Sequence, residues 1–173
     1  MNTMIGGLLA MAVLVAPGAA LAKGAKAEAK LESRSGSTAT GTVTFALRGN
    51  KVAMRVKMTG LTPGSHAIHL HENGDCSAPD AASAGGHWNP SAEAHGKWAH
   101  APFHHGDIGN LVADAKGKAE LKMRSELWSL GDGKPGDVVG RSVIVHAKED
   151  DFTTQPTGNA GGRVACGVIQ KAP

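Results

Sequence analysis

The chain has 173 residues, 41% of them hydrophobic, which allows one domain with a substantial core but not two of ordinary size. Its formal charge of +3 and isoelectric point near 9.0 would allow a nucleic-acid partner. The basic residues are scattered along the sequence, however, and only 3% of the residues are aromatic, so neither a basic stripe nor stacking platforms are visible. We therefore expect that the protein binds no nucleic acid and that its net positive charge attracts a small anion.

The first 22 residues carry no charged side chain and are predicted to be a secretory signal peptide. They are apolar from residue 4 to residue 15 and end in Ala20-Leu21-Ala22 before Lys23. This length and the small residues at the exit are typical of a cleaved signal rather than a membrane span, and the alternative is a buried core helix. No cysteine stands directly after the apolar run, so we expect no lipid anchor. We expect a periplasmic or secreted protein without a membrane anchor.

Residues 23–30 are rich in alanine and lysine, and we predict a flexible segment there, followed by the folded domain at residues 31–173. Residues 40–47 and 51–58 flank Arg48-Gly49-Asn50, and the second run alternates between polar and apolar residues, which predicts a hairpin. Further short strands are predicted at residues 66–71, 107–113, 118–124, 142–147 and 163–169.

About eight short strands separated by turn residues predict an all-β fold, an eight-stranded antiparallel Greek-key barrel or sandwich. Two connections, residues 72–105 and 148–162, have no predicted secondary structure of their own. Connections of that length are usually functional, so we expect both loops to carry the site.

The two cysteines of the chain are Cys76 and Cys166. Because the chain is predicted to be exported to an oxidising compartment, a single intrachain disulfide between them is favoured. Two unpaired buried thiols are the alternative.

Seven metal-binding side chains are spaced so that two metal ions could share one of them. In the run HAIHLH at residues 66–71, a step of two residues on a strand directs His69 and His71 to one face. The same parity places His66 on the other face, where we assign it a structural hydrogen bond. The other donors lie on a Gly/Pro-rich stretch and a late strand, and they are His87, His95, His104, Asp107 and His146.

Five runs, in this order, resemble the copper/zinc superoxide dismutases. They are GSHAIHLHE at residues 64–72, GGHWNP at 85–90, HHGDIGN at 104–110, VIVH at 143–146 and GNAGGRVACGV at 158–168. The resemblance covers nearly all of residues 31–169. Four residues separate His71 from Cys76, and ten separate Cys76 from His87. This short-then-long arrangement is similar to that of the bacterial periplasmic branch of the family.

The resemblance implies one copper and one zinc per subunit, with His87 bound to both ions and exchanging a proton during catalysis. The implied reaction is dismutation of superoxide to oxygen and hydrogen peroxide, an antioxidant defence outside the cytoplasm. The alternative is a non-catalytic copper/zinc-binding or metal-delivery protein on the same fold. The implied copper ligands are His69, His71, His87 and His146, and the implied zinc ligands are His87, His95, His104 and Asp107.

The resemblance also assigns roles to two charged residues near the metals. Arg163 would attract and orient superoxide, and a surface arginine paired with a carboxylate is the alternative. Asp150 would link His95 to His69 or His71 by hydrogen bonds that orient both rings, and an ordinary surface carboxylate is the alternative.

At the mouth of the implied channel, Thr157 would narrow the passage opposite the arginine, unless it is an ordinary loop threonine. Pro156 stands where the family often has a steering lysine, which leaves Lys97 and Lys148 as candidates for that role. His100 and His105 match no family position, and we expect them to be exposed loop histidines, with an accessory metal contact as the alternative. The resemblance leaves both a homodimer and a monomer open.

Overall fold

The computed structural model describes residues 24–173, so the predicted signal peptide at residues 1–22 lies outside the described residues. The described part forms nine strands and one short 3-10 turn at Ala82–Ala84, and it contains no α-helix. None of its elements is a helix long and apolar enough to cross a membrane. The strands are β1 (Lys26–Ser33), β2 (Thr40–Arg48), β3 (Lys51–Thr59), β4 (Gly64–His71), β5 (Asp107–Ala113), β6 (Ala119–Ser125), β7 (Ser142–His146), β8 (Arg163–Val168) and β9 (Gln170–Lys171).

The strands form one antiparallel sheet in the order β5-β4-β7-β8-β1-β2-β3-β6, with β9 paired to β1. The chain leaves β3 for β4 and β5 on the far side and returns to β3 with β6, which is a Greek-key crossover. The turn at Asp114 joins β5 to β6, the two ends of this order, so the sheet curls into a nearly closed barrel. The predicted all-β antiparallel barrel is confirmed.

The predicted flexible segment at residues 23–30 is wrong, because β1 begins at Lys26 rather than near Leu31. Ala27 and Ala29 are buried between charged neighbours and alternate with them as a half-buried strand requires. Small alanine side chains in a lysine-rich run conceal this period of two.

The barrel interior explains why His69 and His71 of β4 face outward. Ile68 and Leu70 belong to the main hydrophobic core, and so do Val143 and Val145 of β7. Because side chains alternate along a strand, the residues between them point to the other face. The core therefore fixes the direction of the predicted metal ligands on both strands.

Cys76 and Cys166 form a disulfide, with their Cα atoms 5.8 Å apart, that ties the first long loop to β8. Arg34 supports the same loop, since its Nε and Nη2 donate to the Cys76 carbonyl at 3.1 and 2.8 Å. The described residues contain no free cysteine, so the alternative of two unpaired thiols is excluded.

The Cys76→Ser/Cys166→Ser variant should lose about 4 to 5 kcal/mol of unfolding free energy, because the disulfide closes a loop of 90 residues in the unfolded chain. Urea unfolding of the metal-free variant and the metal-free parent measures this difference. A loss below about 1 kcal/mol would show that the loop is held by its other contacts.

Candidate metal centre

One group of four buried histidines gathers donors from two strands and the first long loop. His69 and His71 come from β4, His146 from β7 and His87 from the loop, and one ring nitrogen of each lies within 4.8 Å of the others. The loop reaches β4 because residue 87 forms an antiparallel bridge with His71 and the Trp88 N–H donates to the Leu70 carbonyl at 2.8 Å. The loop backbone thus continues the strand pairing and delivers His87 to the barrel wall.

A second group shares His87 and surrounds one carboxylate oxygen. The Nδ1 atoms of His87, His95 and His104 lie 2.9, 3.0 and 3.1 Å from Asp107 Oδ1. The other oxygen of Asp107 accepts the backbone N–H groups of Gly96 and His104 at 3.0 and 2.8 Å. Zinc binds nitrogen and oxygen at about 2.0 Å in a tetrahedron, whose edges are about 3.3 Å long. The spacing of these four donors fits that ion.

The first group passes a separate test of metal binding. Four buried ring nitrogens in it have no hydrogen-bond partner within the described residues: His69 Nδ1, His71 Nε2, His87 Nε2 and His146 Nε2. Buried polar atoms are almost always paired, so four converging exceptions indicate a missing ligand that accepts nitrogen lone pairs. Imidazole donors of this number suit copper, although they do not by themselves distinguish it from zinc.

The opposite nitrogens of these rings are anchored, and this fixes the ring orientation. His71 Nδ1 donates to the Gly85 carbonyl at 3.0 Å, and His146 Nδ1 donates to the Gly161 carbonyl at 3.2 Å. His66, which parity placed on the other face, binds the carbonyls of Thr62 and His146 at 2.8 Å each. The unpartnered nitrogens consequently point toward one another.

Asp150 connects the two groups. Its carboxylate accepts His69 Nε2 at 2.8 Å and His95 Nε2 at 2.9 Å, so of the two partners left open by the sequence it takes His69. The backbone of Asp150 is itself clamped, because the Asn110 amide donates to its carbonyl at 3.0 Å and accepts its N–H at 2.8 Å. Gly158 is required beside it, since a Cβ there would overlap the Asp150 carboxylate.

Sequence reasoning missed Asn110 and also Gln155, which holds His95 in the same way. The Gln155 amide donates to the His95 carbonyl at 2.8 Å and accepts the His95 N–H at 2.9 Å. Each pair is 40 or more residues apart in the chain, and the HHGDIGN run that ends in Asn110 does not reveal the partner of its amide. The only available signal was the position of Gln155 inside the second long loop.

Arg163, at the start of β8, is half-buried and pinned by the first long loop. Its Nη1 donates to the Ala81 carbonyl and its Nη2 to the Gly85 carbonyl, both at 2.6 Å. The Gly85 carbonyl also accepts the ring N–H of His71, so the arginine and a predicted copper ligand share one acceptor. Within residues 24–173 no carboxylate lies at ion-pair distance from this guanidinium, contrary to the surface-pair alternative.

The remaining candidates are less closely tied to the two groups. Thr157 is exposed, and its predicted channel role stays a prediction. His100 is exposed as expected, whereas His105 is half-buried with its ring 5.6 Å from that of Trp88. The ammonium nitrogen of Lys97 lies 5.7 Å from the ring centre of Phe152, so its charge contacts an aromatic face of the second loop.

Burial controls the protonation of the first group. It lowers the pKa of His71, and it lowers the pKa of His87 to about 4 and of His146 to about 3, with neighbouring imidazoles adding to the effect. These rings are therefore neutral at pH 7, as metal ligands must be. Burial also disfavours charge on His95, but hydrogen bonds and charges from Asp107 and Asp150 outweigh it and raise its pKa to about 9.

Asp150→Asn should weaken zinc binding about 10- to 100-fold, because an amide cannot accept hydrogen bonds from both rings and His95 loses its orientation. Competition with a chromophoric chelator measures the affinity. Glu149→Gln is the matched control, since it makes the same charge change at an exposed neighbour. Equal affinities of the two variants would contradict the role of the bridge.

Zinc affinity of the metal-free protein should rise about tenfold per pH unit between pH 7 and pH 9 and then level off. The reason is that a proton held at His95, with its pKa of about 9, must leave before the ring can bind the ion. His87, with a pKa of about 4, adds no pH dependence in this range. Calorimetry in buffers of different ionisation enthalpy counts the released proton. A zinc affinity that does not change between pH 7 and pH 9 would refute the assignment.

Comparison with known proteins agrees with this geometry. The family model described as copper/zinc superoxide dismutase (SODC) matches residues 39–169. The chain is 44% identical over 135 residues to a superoxide dismutase [Cu-Zn] of Caulobacter vibrioides, covering 75% of this chain and 78% of that protein. It is 38% identical over 159 residues to an extracellular superoxide dismutase [Cu-Zn] of Brugia pahangi, covering 86% of this chain and 77% of that protein.

Among solved structures, a crystal structure titled as that of the clock protein EA4 is similar in fold and sequence. It superposes with a TM-score of 0.78 at 36% identity and covers 88% of this chain and 98% of that one. The family match spans well over half of the chain, and its matched region contains every residue of both histidine groups. The chain belongs to the copper/zinc superoxide dismutase family.

Proposed function

We propose that this protein dismutates superoxide to oxygen and hydrogen peroxide. Copper would be held by the unpartnered nitrogens of the first group and zinc by the donors around Asp107, with His87 common to both. The observation that carries the proposal is the convergence of four buried, unpartnered imidazole nitrogens beside a fixed arginine. When bound, copper would supply the reversible one-electron chemistry, and zinc, which keeps its valence, would hold the ligands in place.

Arg163 would bind and orient the anionic substrate. Of the five N–H donors of its guanidinium, one goes to the Ala81 carbonyl and one to the Gly85 carbonyl, so three are left for superoxide. Because the side chain is half-buried, its charge is less screened than that of a fully exposed arginine. The two carbonyl contacts also remove the need to order the side chain when the anion arrives.

His87 would carry the proton. Its Nδ1 lies 2.9 Å from Asp107 Oδ1, which holds the ring, while its Nε2 faces the first group and has no hydrogen-bond partner within the described residues. Two superoxide ions and two protons give one oxygen and one hydrogen peroxide. A proton held at His87 Nε2 would pass to the reduced oxygen, because this nitrogen faces the first group, where the substrate would be reduced.

We infer that the protein works outside the cytoplasm, in the periplasm or after secretion. Its disulfide is of the kind that persists in oxidising compartments, and the relative in Brugia pahangi is named extracellular. Cleavage after the predicted signal peptide belongs to the same proposal. A homodimer also remains a prediction.

The direct test is to measure superoxide dismutation by the metal-free, zinc-only and copper-plus-zinc forms of the protein. The proposal predicts that only the copper-containing form is active. Tight binding of both metals without activity would favour the alternative, a metal-binding or metal-delivery protein.

Arg163→Gln should lower kcat/KM for superoxide by at least about tenfold at low ionic strength, since the anion loses a preorganised cation. Arg163→Lys should recover part of the loss, because it restores the charge without the planar fork. Arg48→Gln is the matched control, an exposed arginine at the end of β2, away from both histidine groups. Pulse radiolysis measures the rates, and equal rates for the Arg163→Gln and Arg48→Gln variants would exclude the orienting role.

A further inference from the structure

One outer face of the barrel is strongly basic, although the sequence shows no basic stripe. It consists of outward-facing residues of β2, β3 and β6, and we call it the basic face. The face carries six cations and two carboxylates, so its formal charge is +4, which exceeds the +3 of the whole chain. The cations are Arg48, Lys51, Arg55, Lys57, Lys122 and Arg124, and the carboxylates are Glu120 and Glu126.

Strand register places like charges opposite one another on this face. Arg55 pairs directly with Lys122, and Arg48 pairs directly with Lys51. Like charges at such positions are destabilising, so the arrangement works against folding. The two carboxylates relieve part of it, because Glu120 lies directly opposite Lys57 and contacts Arg55 at 3.1 Å, and Glu126 contacts Lys51 at 3.0 Å.

The centre of the face is a shallow depression with unpaired cations around it. Ala46 and Ala53 are direct cross-strand neighbours, and their small side chains leave the space. Among the described residues, no carboxylate lies within 4 Å of the charged groups of Arg48, Lys122 or Arg124, which line this depression. These cations are therefore available to anions in solution.

The proposed reaction does not account for this face. The metal ligands lie on β4 and β7, in the opposite half of the barrel from β2, β3 and β6. Packed sheets are about 10 Å apart, which exceeds the screening length of about 8 Å at physiological ionic strength. Its charges thus contribute little to steering superoxide toward Arg163.

We propose that the basic face docks the protein on an anionic phospholipid bilayer. The cations are spread over three adjacent strands of a sheet, an extended surface that matches many head groups rather than one small ion. No aromatic side chain is exposed on these strands, so the face lacks the stacking platforms that single-stranded nucleic acid needs. A docked molecule would keep its histidine groups on the side away from the bilayer and open to the solution.

Vesicle co-sedimentation tests the proposal with the metal-loaded protein. Residues 23–173 are used, because they contain every strand and the apolar residues 4–15 would bind any bilayer by themselves. Vesicles of phosphatidylcholine alone are compared with vesicles containing about one third phosphatidylglycerol. We expect binding to the anionic vesicles only, lost when the salt is raised from about 0.05 to about 0.5 M.

The Lys122→Gln/Arg124→Gln variant should partition about thirtyfold less onto anionic vesicles, from the usual contribution of two cations near such a surface. Lys134→Gln/Lys148→Gln is the matched control, since it removes the same charge from exposed loops elsewhere and should bind like the parent. Equal losses in both variants, equal binding to neutral vesicles, or binding to soluble polyphosphate but not to vesicles would each overturn the proposal.

A second variant separates binding from folding. Lys122→Glu replaces a like-charge pair with an opposite-charge pair opposite Arg55, so the thermal midpoint should rise by about 1 to 3 °C. Vesicle binding should fall at least as far as in the Lys122→Gln/Arg124→Gln variant, because both variants remove two units of positive charge. A higher midpoint with unchanged vesicle binding would show that the repulsion serves no docking surface.

Discussion

The structure depends on one imidazole ring that two donor groups share. His87 presents Nε2 to three other unpartnered histidine nitrogens and Nδ1 to the carboxylate of Asp107. Six other buried polar side chains converge around it, and burial without partners would destabilise the fold. Two metal ions would satisfy both groups at once, because each occupies the set of nitrogens that the other leaves free. The short bridge between residue 87 and His71 places the ring where both groups can use it.

The arginine proposed to bind the substrate and the proposed copper ligands are held by the same loop. Gly85 stands two residues before His87 in the chain, and its carbonyl accepts one hydrogen bond from Arg163 and one from His71. The disulfide attaches this loop to β8, the strand that begins with the arginine. Movement of the loop would therefore disturb the proposed orienting cation, Arg163, and the proposed copper ligand His71 together. The strands supply His69, His71, Asp107, His146 and Arg163, while the two loops add His87, His95, His104 and Asp150.

The sequence predicts those features that follow from local periodicity and motif order. The parity of His66, His69 and His71 follows from strand alternation alone, and the structure confirms it. Features that depend on contacts between distant segments were not predictable: the choice of His69 by Asp150, the Gln155 clamp on His95, and the basic face. The start of β1 was missed for a different reason, because alanine is too small to give a clear hydrophobic alternation.

The central claim, that His87 joins a redox-active ion to an inert one, is tested most directly by a crystal structure of the copper- and zinc-loaded protein. Anomalous scattering measured at the absorption edges of both metals identifies each ion. The account predicts copper against His87 Nε2 with His69, His71 and His146, and zinc against His87 Nδ1 with His95, His104 and Asp107. Two ions at these groups with His87 bound to only one of them, or the metals in exchanged positions, would contradict it.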